Sequence, residues 1–176
     1  SMINTLVAAA LDNNKIVGYF VGGSETGPRA LGHRSLLASA KDKNMKDRLN
    51  KVKNRESFRP VAPMVLQEKA KEWFGVSSSP FMLFSVPCKF PELIPSGVHV
   101  DGTSRIQTID EDNGDIYSIV EQYYGLSEVP CIVNTSFNAR GNPIVETPKD
   151  AIEVFLEQDI DLLVMENYVV YKKENK

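Results

Sequence analysis

Short apolar runs of strand length alternate with segments of helical spacing along the chain. The runs predicted to be strands are 16–21, 35–40, 61–66, 81–86, 105–109, 129–133, 162–165 and 168–171. Amphipathic spacing and capping residues predict helices over 3–11, 42–50, 68–74, 115–124 and 151–158. This alternation indicates an α/β domain of the α+β type, with a twisted mixed β-sheet flanked by helices.

The length and composition are those of one globular domain. The 176 residues are 42% hydrophobic and 24% charged, which suffices for a sizeable core. We expect the domain to span 3–172, with residues 1–2 a cloning remnant and 173–176 a solvated tail. No apolar run reaches the roughly 18 residues of a membrane span and no signal peptide is evident. We therefore expect a cytoplasmic protein that does not engage membranes.

The cysteines and histidines do not form a metal-binding pattern. Cys88 and Cys131 lie in apolar surroundings, which favours free buried thiols. With His33 and His99 they give no recognisable ligand spacing. We predict no metal held by side chains of this domain.

The charges are unevenly distributed, although the net charge is only −3. Residues 27–59 contain ten Lys or Arg against three Asp or Glu, whereas residues 110–176 contain five against fourteen. A long polyanion would be repelled by the acidic part of the chain. The distribution favours a small anionic ligand, such as a phosphate-bearing metabolite, and argues against nucleic acid as a partner.

The stretch 51–60 places several cations just before an apolar run. If it is extended, Lys51, Lys53 and Arg55 share one face, and Arg59 follows shortly before the strand at 61–66. Such a row repels itself unless an anion lies against it. The alternative is a solvated amphipathic helix over 42–53.

Two further segments carry groups that bind anions. Residues 22–35 combine four glycines with Arg29 and Arg34, so that main-chain N–H groups and guanidinium forks can approach a phosphate. Residues 134–143 place Asn134, Ser136 and Asn138 directly after a core strand, where ligands bind in α/β sheets. A plain glycine-rich turn and an Asn/Ser turn are the alternatives.

Arg105 opens the alternating strand that follows the turn at 101–102. On one interpretation it is a third arginine of the anion site, and on the other it belongs to a polar strand face exposed to solvent. The sequence pattern leaves both open.

Four motifs together resemble the C-terminal domain of the O-carbamoyltransferases, the family of the nodulation-factor and antibiotic carbamoylating enzymes. They are 27–35, 51–63, 101–108 and 134–143, in consistent order over nearly the whole chain. That domain is similar to the YrdC-like fold, whose Lys-x-Arg and Ser-x-Asn motifs match residues 53–55 and 136–138. The resemblance implies that carbamoyl phosphate and ATP are converted into carbamoyladenylate, with ATP carrying Mg²⁺ as a substrate.

The resemblance also implies roles for single residues. Lys53, Arg59 and Arg105 are expected to be catalytic. The expected substrate and nucleotide contacts are Arg29, Arg34, Lys53, Arg55, Arg59, Arg105, Asn134, Ser136, Asn138 and Arg140. Transfer to an acceptor hydroxyl belongs to an N-terminal metal-binding domain, which we expect to be absent from this fragment, leaving at most the adenylate-forming half-reaction.

Two other functions are compatible with the sequence. YrdC-like proteins also make a carbamoylated adenylate for tRNA modification, so an RNA-linked module is one alternative. A domain without catalytic activity that docks on a partner through its arginines is the other.

Overall fold

The computed structural model describes residues 1–26, 29–139 and 141–173. Five α-helices lie within these ranges: α1 (Met2–Asp12), α2 (Met45–Val52), α3 (Gln67–Phe74), α4 (Asp115–Ser127) and α5 (Pro148–Glu157). The strands are β1 (Val17–Phe20), β2 (Arg34–Ser39), β3 (Ala62–Leu66), β4 (Ser85–Pro87), β5 (Thr103–Arg105), β6 (Gln107–Ile109), β7 (Cys131–Ser136), β8 (Leu162–Met165) and β9 (Tyr168–Tyr171). Short 3-10 turns occur at Pro95–Gly97 and Glu111–Asn113.

Seven strands form one mixed sheet in the order β6-β3-β7-β2-β1-β8-β9. The pairs β3–β6 and β1–β8 are parallel, and the other neighbours are antiparallel. Strands β4 and β5 form a separate antiparallel pair. Every residue of the central strand β2 is buried, so both faces of the sheet are covered there. The predicted mixed sheet flanked by helices is confirmed.

The helices bury the faces that their spacing predicts. In α4 the buried residues include Ile116, Ile119, Val120 and Tyr123, three and four residues apart, and this helix packs beside α1. Helix α5 begins with a capping box, in which the Thr147 side chain accepts from the Asp150 amide. Ser1 caps α1 and Met2 is its first residue, so both belong to the folded structure.

Several predicted boundaries are wrong. Residues 81–84 are not a strand: Met82 has a positive φ of 54°, and the Phe81 and Met82 carbonyls accept from Arg29. Helix α4 continues through Gly125 to Ser127. The alternating segment 105–109 is divided between two sheets, and Gln107 is buried rather than exposed.

The start and end of α2 also differ from the sequence prediction. The helix begins at Met45 after Asn44, not after Asp42. At its other end it includes Lys51 and Val52, so residues 51–55 do not form an extended row. Lys51 is exposed, whereas Lys53 caps the helix and is buried. Of the two interpretations of this stretch, the helix is correct, but it ends where the site begins.

Two glycines are expected to respond oppositely to substitution by alanine. A Cβ at Gly18 in β1 would lie 3.0 Å from Cζ of the buried Phe137 ring and 3.2 Å from a Leu163 methyl carbon, so Gly18→Ala should lower the free energy of unfolding by ~1–3 kcal/mol. Gly125 lies inside α4 with no heavy atom within 4 Å of an added Cβ, so Gly125→Ala should raise the free energy of unfolding by ~0.5–1 kcal/mol. Urea denaturation measures both, and the same sign for the two variants would contradict this packing.

Candidate anion-binding site at the end of strand β7

Three hollows meet where β7 ends, and Ser136 lines all of them. The cationic hollow, of about 370 Å³, is lined by Lys53, Arg55, Glu56, Arg59, Ser136, Asn138, Ala139 and Gly141. The small hollow, of about 130 Å³, is lined by Arg29, Ala30, Arg55, Pro60, Val61, Ala62, Met82, Arg105, Asn134, Thr135 and Ser136. The mixed hollow, of about 410 Å³, is lined by Ser24, Glu25, Arg34, Ser136, Asn138, Pro143, Ile144, Val145 and Glu146.

Lys53 lies at the centre of this arrangement and is only 6% exposed. Its ammonium donates to the Ser136 carbonyl at 2.6 Å, to Ser136 Oγ at 2.7 Å and to Asn138 Oδ1 at 2.6 Å. Burial, and secondarily the charge of Arg55, lowers the pKa of Lys53 to about 7. The site therefore holds a cation close to its point of deprotonation at physiological pH.

The Lys53 partners are themselves held in place. Asn138 donates from Nδ2 to the Asn142 carbonyl at 2.8 Å, which turns its Oδ1 towards Lys53. Ser136 Oγ also lies 2.9 Å from the same Oδ1. The polar segment predicted after the core strand thus forms the acceptor side of the site, with Asn134, Thr135 and Ser136 as the last residues of β7.

Two arginines form the outer wall of the cationic hollow. Arg55 Nε donates to Asn50 Oδ1 at 2.6 Å, and Asn50 is itself fixed by donating to the carbonyls of Ser57 and Arg59. Burial, and then the nearby charge of Arg59, lowers the pKa of Arg55. Arg59 is more exposed and pairs with Glu56 at 2.8 Å. The cationic hollow thus combines the buried ammonium of Lys53 with the guanidinium groups of Arg55 and Arg59, which lie nearer the solvent.

The small hollow contains a donor and an acceptor without partners among the described residues. Nε of Arg105 and Oδ1 of Asn134 are both buried and make no hydrogen bond there. Burial, followed by repulsion from Arg29, lowers the pKa of Arg105. Buried polar atoms are usually satisfied, so Arg105 and Asn134 are candidates for ligand contacts, as is Arg34, whose Nε is also buried and without a partner among the described residues. The interpretation of Arg105 as a solvent-facing strand residue is not supported.

The side chain of Arg34 mainly stabilises the main chain around it. Its guanidinium stacks 3.6 Å from the centre of the Phe20 ring and donates to the carbonyls of Val21, Gly22 and His33. Burial lowers its pKa. Arg29 donates to two main-chain carbonyls as described above, yet it also lines the small hollow. Of these two predicted ligand contacts, Arg29 is the better placed.

The structure brings most of the predicted residues together. Lys53, Arg55 and Arg59 line the cationic hollow, Arg29, Arg105 and Asn134 line the small one, and Ser136 and Asn138 join them. Arg140 lies outside the described residues, and nothing in the structure bears on its predicted contact.

Three functional residues were missed by sequence reasoning. Glu25 accepts from the amides of Leu31 and His33, shaping the glycine-rich loop. Asn50 orients Arg55 as described above, and Gln107 bonds Asn134. Each acts on a residue distant in sequence or across a loop, so periodicity gave no signal for it.

Among the described residues, no cluster of three or more His, Cys, Asp or Glu side chains is arranged to hold a metal ion. The described helices include none long and apolar enough to cross a membrane. Cys88 and Cys131 are both free thiols, and burial raises the pKa of each.

Comparison with known proteins decides the family. The model of the "Carbamoyltransferase C-terminus" family matches residues 8–172. The chain belongs to this family. The nodulation protein NolNO of Sinorhizobium fredii is 42% identical to it over 166 residues, which is 90% of this chain and 24% of NolNO. NolO of Bradyrhizobium diazoefficiens is 40% identical over 169 residues, 92% of this chain and 31% of NolO.

The relatives that match are longer proteins than this chain. An uncharacterized protein of Synechocystis, sll1178, is 39% identical over 191 residues, 94% of this chain and 31% of that protein. The chain thus spans between 24% and 31% of the length of these three relatives. The resemblance to the O-carbamoyltransferases noted in the sequence is confirmed.

Solved structures confirm the YrdC-like fold of this carbamoyltransferase domain. Full-length HypF, in a phosphate- and nucleotide-bound form, superposes with a TM-score of 0.62 at 23% identity, covering 93% of this chain and 25% of HypF. Sua5 of P. abyssi, complexed with L-threonine, gives a TM-score of 0.61 at 18% identity, covering 93% of this chain and 46% of Sua5. At these identities the likeness establishes the fold alone.

Proposed function

We propose that this domain makes carbamoyladenylate from carbamoyl phosphate and ATP, and that the longer protein transfers the carbamoyl group to an acceptor hydroxyl. The observation that carries the proposal is the environment of Lys53. Its three described partners are neutral oxygens, although an ammonium is costly to bury without an anion. An anionic ligand beside Lys53 supplies the missing charge.

The reaction balances with one water molecule. Water cleaves carbamoyl phosphate into carbamate and inorganic phosphate. A carbamate oxygen then forms a bond to the α-phosphorus of ATP, the bond from that phosphorus to the bridging oxygen breaks, and pyrophosphate leaves. The protein has mainly to align two anions and to stabilise the charge of the transferring phosphoryl group.

The hollows divide these tasks by size and charge. The cationic hollow suits the phosphates of ATP, where Lys53 acts as a point charge and Arg55 and Arg59 as forks. The small hollow suits the carbamoyl group and its phosphate, beside Arg29 and Arg105. The mixed hollow suits the nucleoside, because it combines Pro143, Ile144 and Val145 with polar side chains and with the charged groups of Glu25, Arg34 and Glu146.

Mg²⁺ is proposed to enter bound to ATP, where it neutralises phosphate charge. The described residues fit this role, since the hollow that suits the phosphates is lined mainly by cations and small polar groups rather than by a carboxylate cage. Lys53, Arg55 and Arg59 then neutralise the remaining negative charge on the phosphates. The reaction is proposed to take place in the cytoplasm, with an N-terminal metal-binding domain of the longer protein as the partner that completes transfer.

Pyrophosphate release tests the proposal. The protein is mixed with ATP, Mg²⁺ and fresh carbamoyl phosphate, and pyrophosphate is followed by a coupled assay. Release that needs carbamoyl phosphate, and that Arg59→Ala reduces by about tenfold or more, is expected. Lys51→Ala is the control for loss of a cation, because Lys51 is exposed and lines none of the three hollows. ATP binding without any release would overturn the proposed half-reaction for this domain.

A further inference from the structure

Two buried amide side chains connect the small hollow to the glycine-rich loop. Asn134 in β7 and Gln107 in β6 are each 2% exposed, and their side chains meet across the intervening strand β3. Asn134 Nδ2 donates to Gln107 Oε1 at 3.1 Å. The two amides thus form a short chain of hydrogen bonds that ends at the small hollow.

Two main-chain carbonyls determine which way each amide points. Gln107 Nε2 lies 2.8 Å from the Leu31 carbonyl, and Asn134 Nδ2 lies 2.9 Å from the Ala30 carbonyl. A carbonyl oxygen can only accept, so the NH₂ end of each amide must face it. Gln107 therefore presents its oxygen to Asn134, whose two N–H bonds are both used.

The oxygen of Asn134 is consequently fixed as an acceptor. It is buried and has no partner in the described part of the chain, and Asn134 lines the small hollow with Arg105, whose Nε is an unpartnered donor. A carbamoyl group carries an NH₂ donor and a carbonyl acceptor on one carbon, which complements this pair. An acetyl group offers a carbonyl but no N–H, and would leave the Asn134 oxygen buried and unsatisfied.

We propose that Gln107 is a positioning residue that orients Asn134 to select an acyl group bearing N–H, so that carbamoyl phosphate is accepted and acetyl phosphate is rejected. The inference rests on the proposed function, in that it places the carbamoyl group in the small hollow. It goes further by assigning the choice of acyl group to two amides and two loop carbonyls.

Titration calorimetry with carbamoyl phosphate and with acetyl phosphate tests this selection. The two ligands share the phosphate, so their affinity ratio reports the acyl group alone and is insensitive to a general loss of structure. The unaltered protein should prefer carbamoyl phosphate by at least ~100-fold, because a site built around a ligand N–H rejects analogues without one. Asn134→Leu should bring the ratio to within about threefold of unity, since its side chain offers no acceptor.

Gln107→Met should lower the ratio about tenfold, because Asn134 loses one of the two acceptors that orient it. Gln122→Met is the control: Gln122, on α4, accepts from Thr5 and donates to Ser118. Its ratio should equal that of the unaltered protein. If Gln107→Met does not fold, Gln107→Leu is used in its place, because leucine likewise offers no acceptor to Asn134, and the same fall is expected.

The inference is overturned if the unaltered protein binds both ligands equally or binds no carbamoyl phosphate, or if the folded Gln107 variant keeps the full ratio. These outcomes are separable from failure of the proposed reaction. An intact ratio in a protein that releases no pyrophosphate would contradict adenylate formation while supporting the selection of carbamoyl groups.

Discussion

Lys53→Met is expected to lower carbamoyl-phosphate-dependent pyrophosphate release by ~100- to 1000-fold. In the proposed reaction Lys53 acts as a point charge beside the phosphates, and removing one preorganised charge from such a site has an effect of this size. Lys53 is also the most buried cation that lines the cationic hollow among the described residues. Methionine retains the length of the side chain without the ammonium. Initial rates at saturating ATP measure the loss, and calorimetry with ATP separates binding from the chemical step.

The same substitution should change the stability of the fold little. The buried ammonium is desolvated, and the relief of that penalty offsets the loss of its hydrogen bonds to Ser136 and Asn138. We therefore expect the free energy of unfolding of Lys53→Met at pH 7 to lie within about 1 kcal/mol of that of the unaltered protein. Lys51→Met, in which the exposed lysine changes, should keep its activity. Equal activity loss in both variants would contradict a specific role for Lys53.

Nucleotide affinity is expected to fall as pH rises above about 7, by up to about tenfold per pH unit. The Lys53 ammonium has a pKa lowered to about 7 in the free protein by burial. A bound phosphate raises that pKa, because an opposite charge favours the protonated form. Below pH 7 the lysine is already protonated and affinity is flat, whereas above pH 7 binding must take up a proton. Calorimetry in buffers of different ionisation enthalpy measures this uptake.

Stability should change in the opposite direction over the same window. In the unfolded chain the lysine keeps its ordinary pKa of 10.5. Between pH 7 and 10.5 the unfolded state therefore binds the extra proton, and the free energy of unfolding rises with pH by up to about 1.4 kcal/mol per unit from this group. Lys53→Arg, which stays charged, should show neither trend. Affinity that is independent of pH from 6 to 9 in the unaltered protein would contradict the assignment.

Local chemistry was sufficient to predict much of the fold. The hairpin turning at Glu166 and Asn167, the capped helix after Thr147 and the buried strands all follow from period and turn residues. The prediction failed for residues 81–84 because their apolar side chains have strand character, while the contact that decides the path of the main chain comes from Arg29, more than fifty residues away. Periodicity does not report such distant hydrogen bonds.

The site was predicted by residue type but not by arrangement. Charge and position indicated Lys53 and the arginines, yet an extended row would have made Lys51 and Lys53 equivalent. The helix end separates them, because α2 leaves Lys51 in solvent and directs Lys53 towards Ser136. The alternation over 105–109 left open a polar strand face exposed to solvent, which would include Gln107, and only the division of this segment between two sheets places Gln107 against Asn134.

The two loop carbonyls that orient Asn134 and Gln107 belong to the main chain, and under the proposed selection this limits which mutations would alter the acyl preference. Exchanging the side chains at 30 and 31 for others of similar size leaves both carbonyls in place. Deleting one residue from the loop shifts both at once and frees both amides to turn over. During divergence of such domains, substitutions in this loop are therefore compatible with an unchanged acyl preference, whereas changes of loop length are the route by which a different acyl group would be admitted.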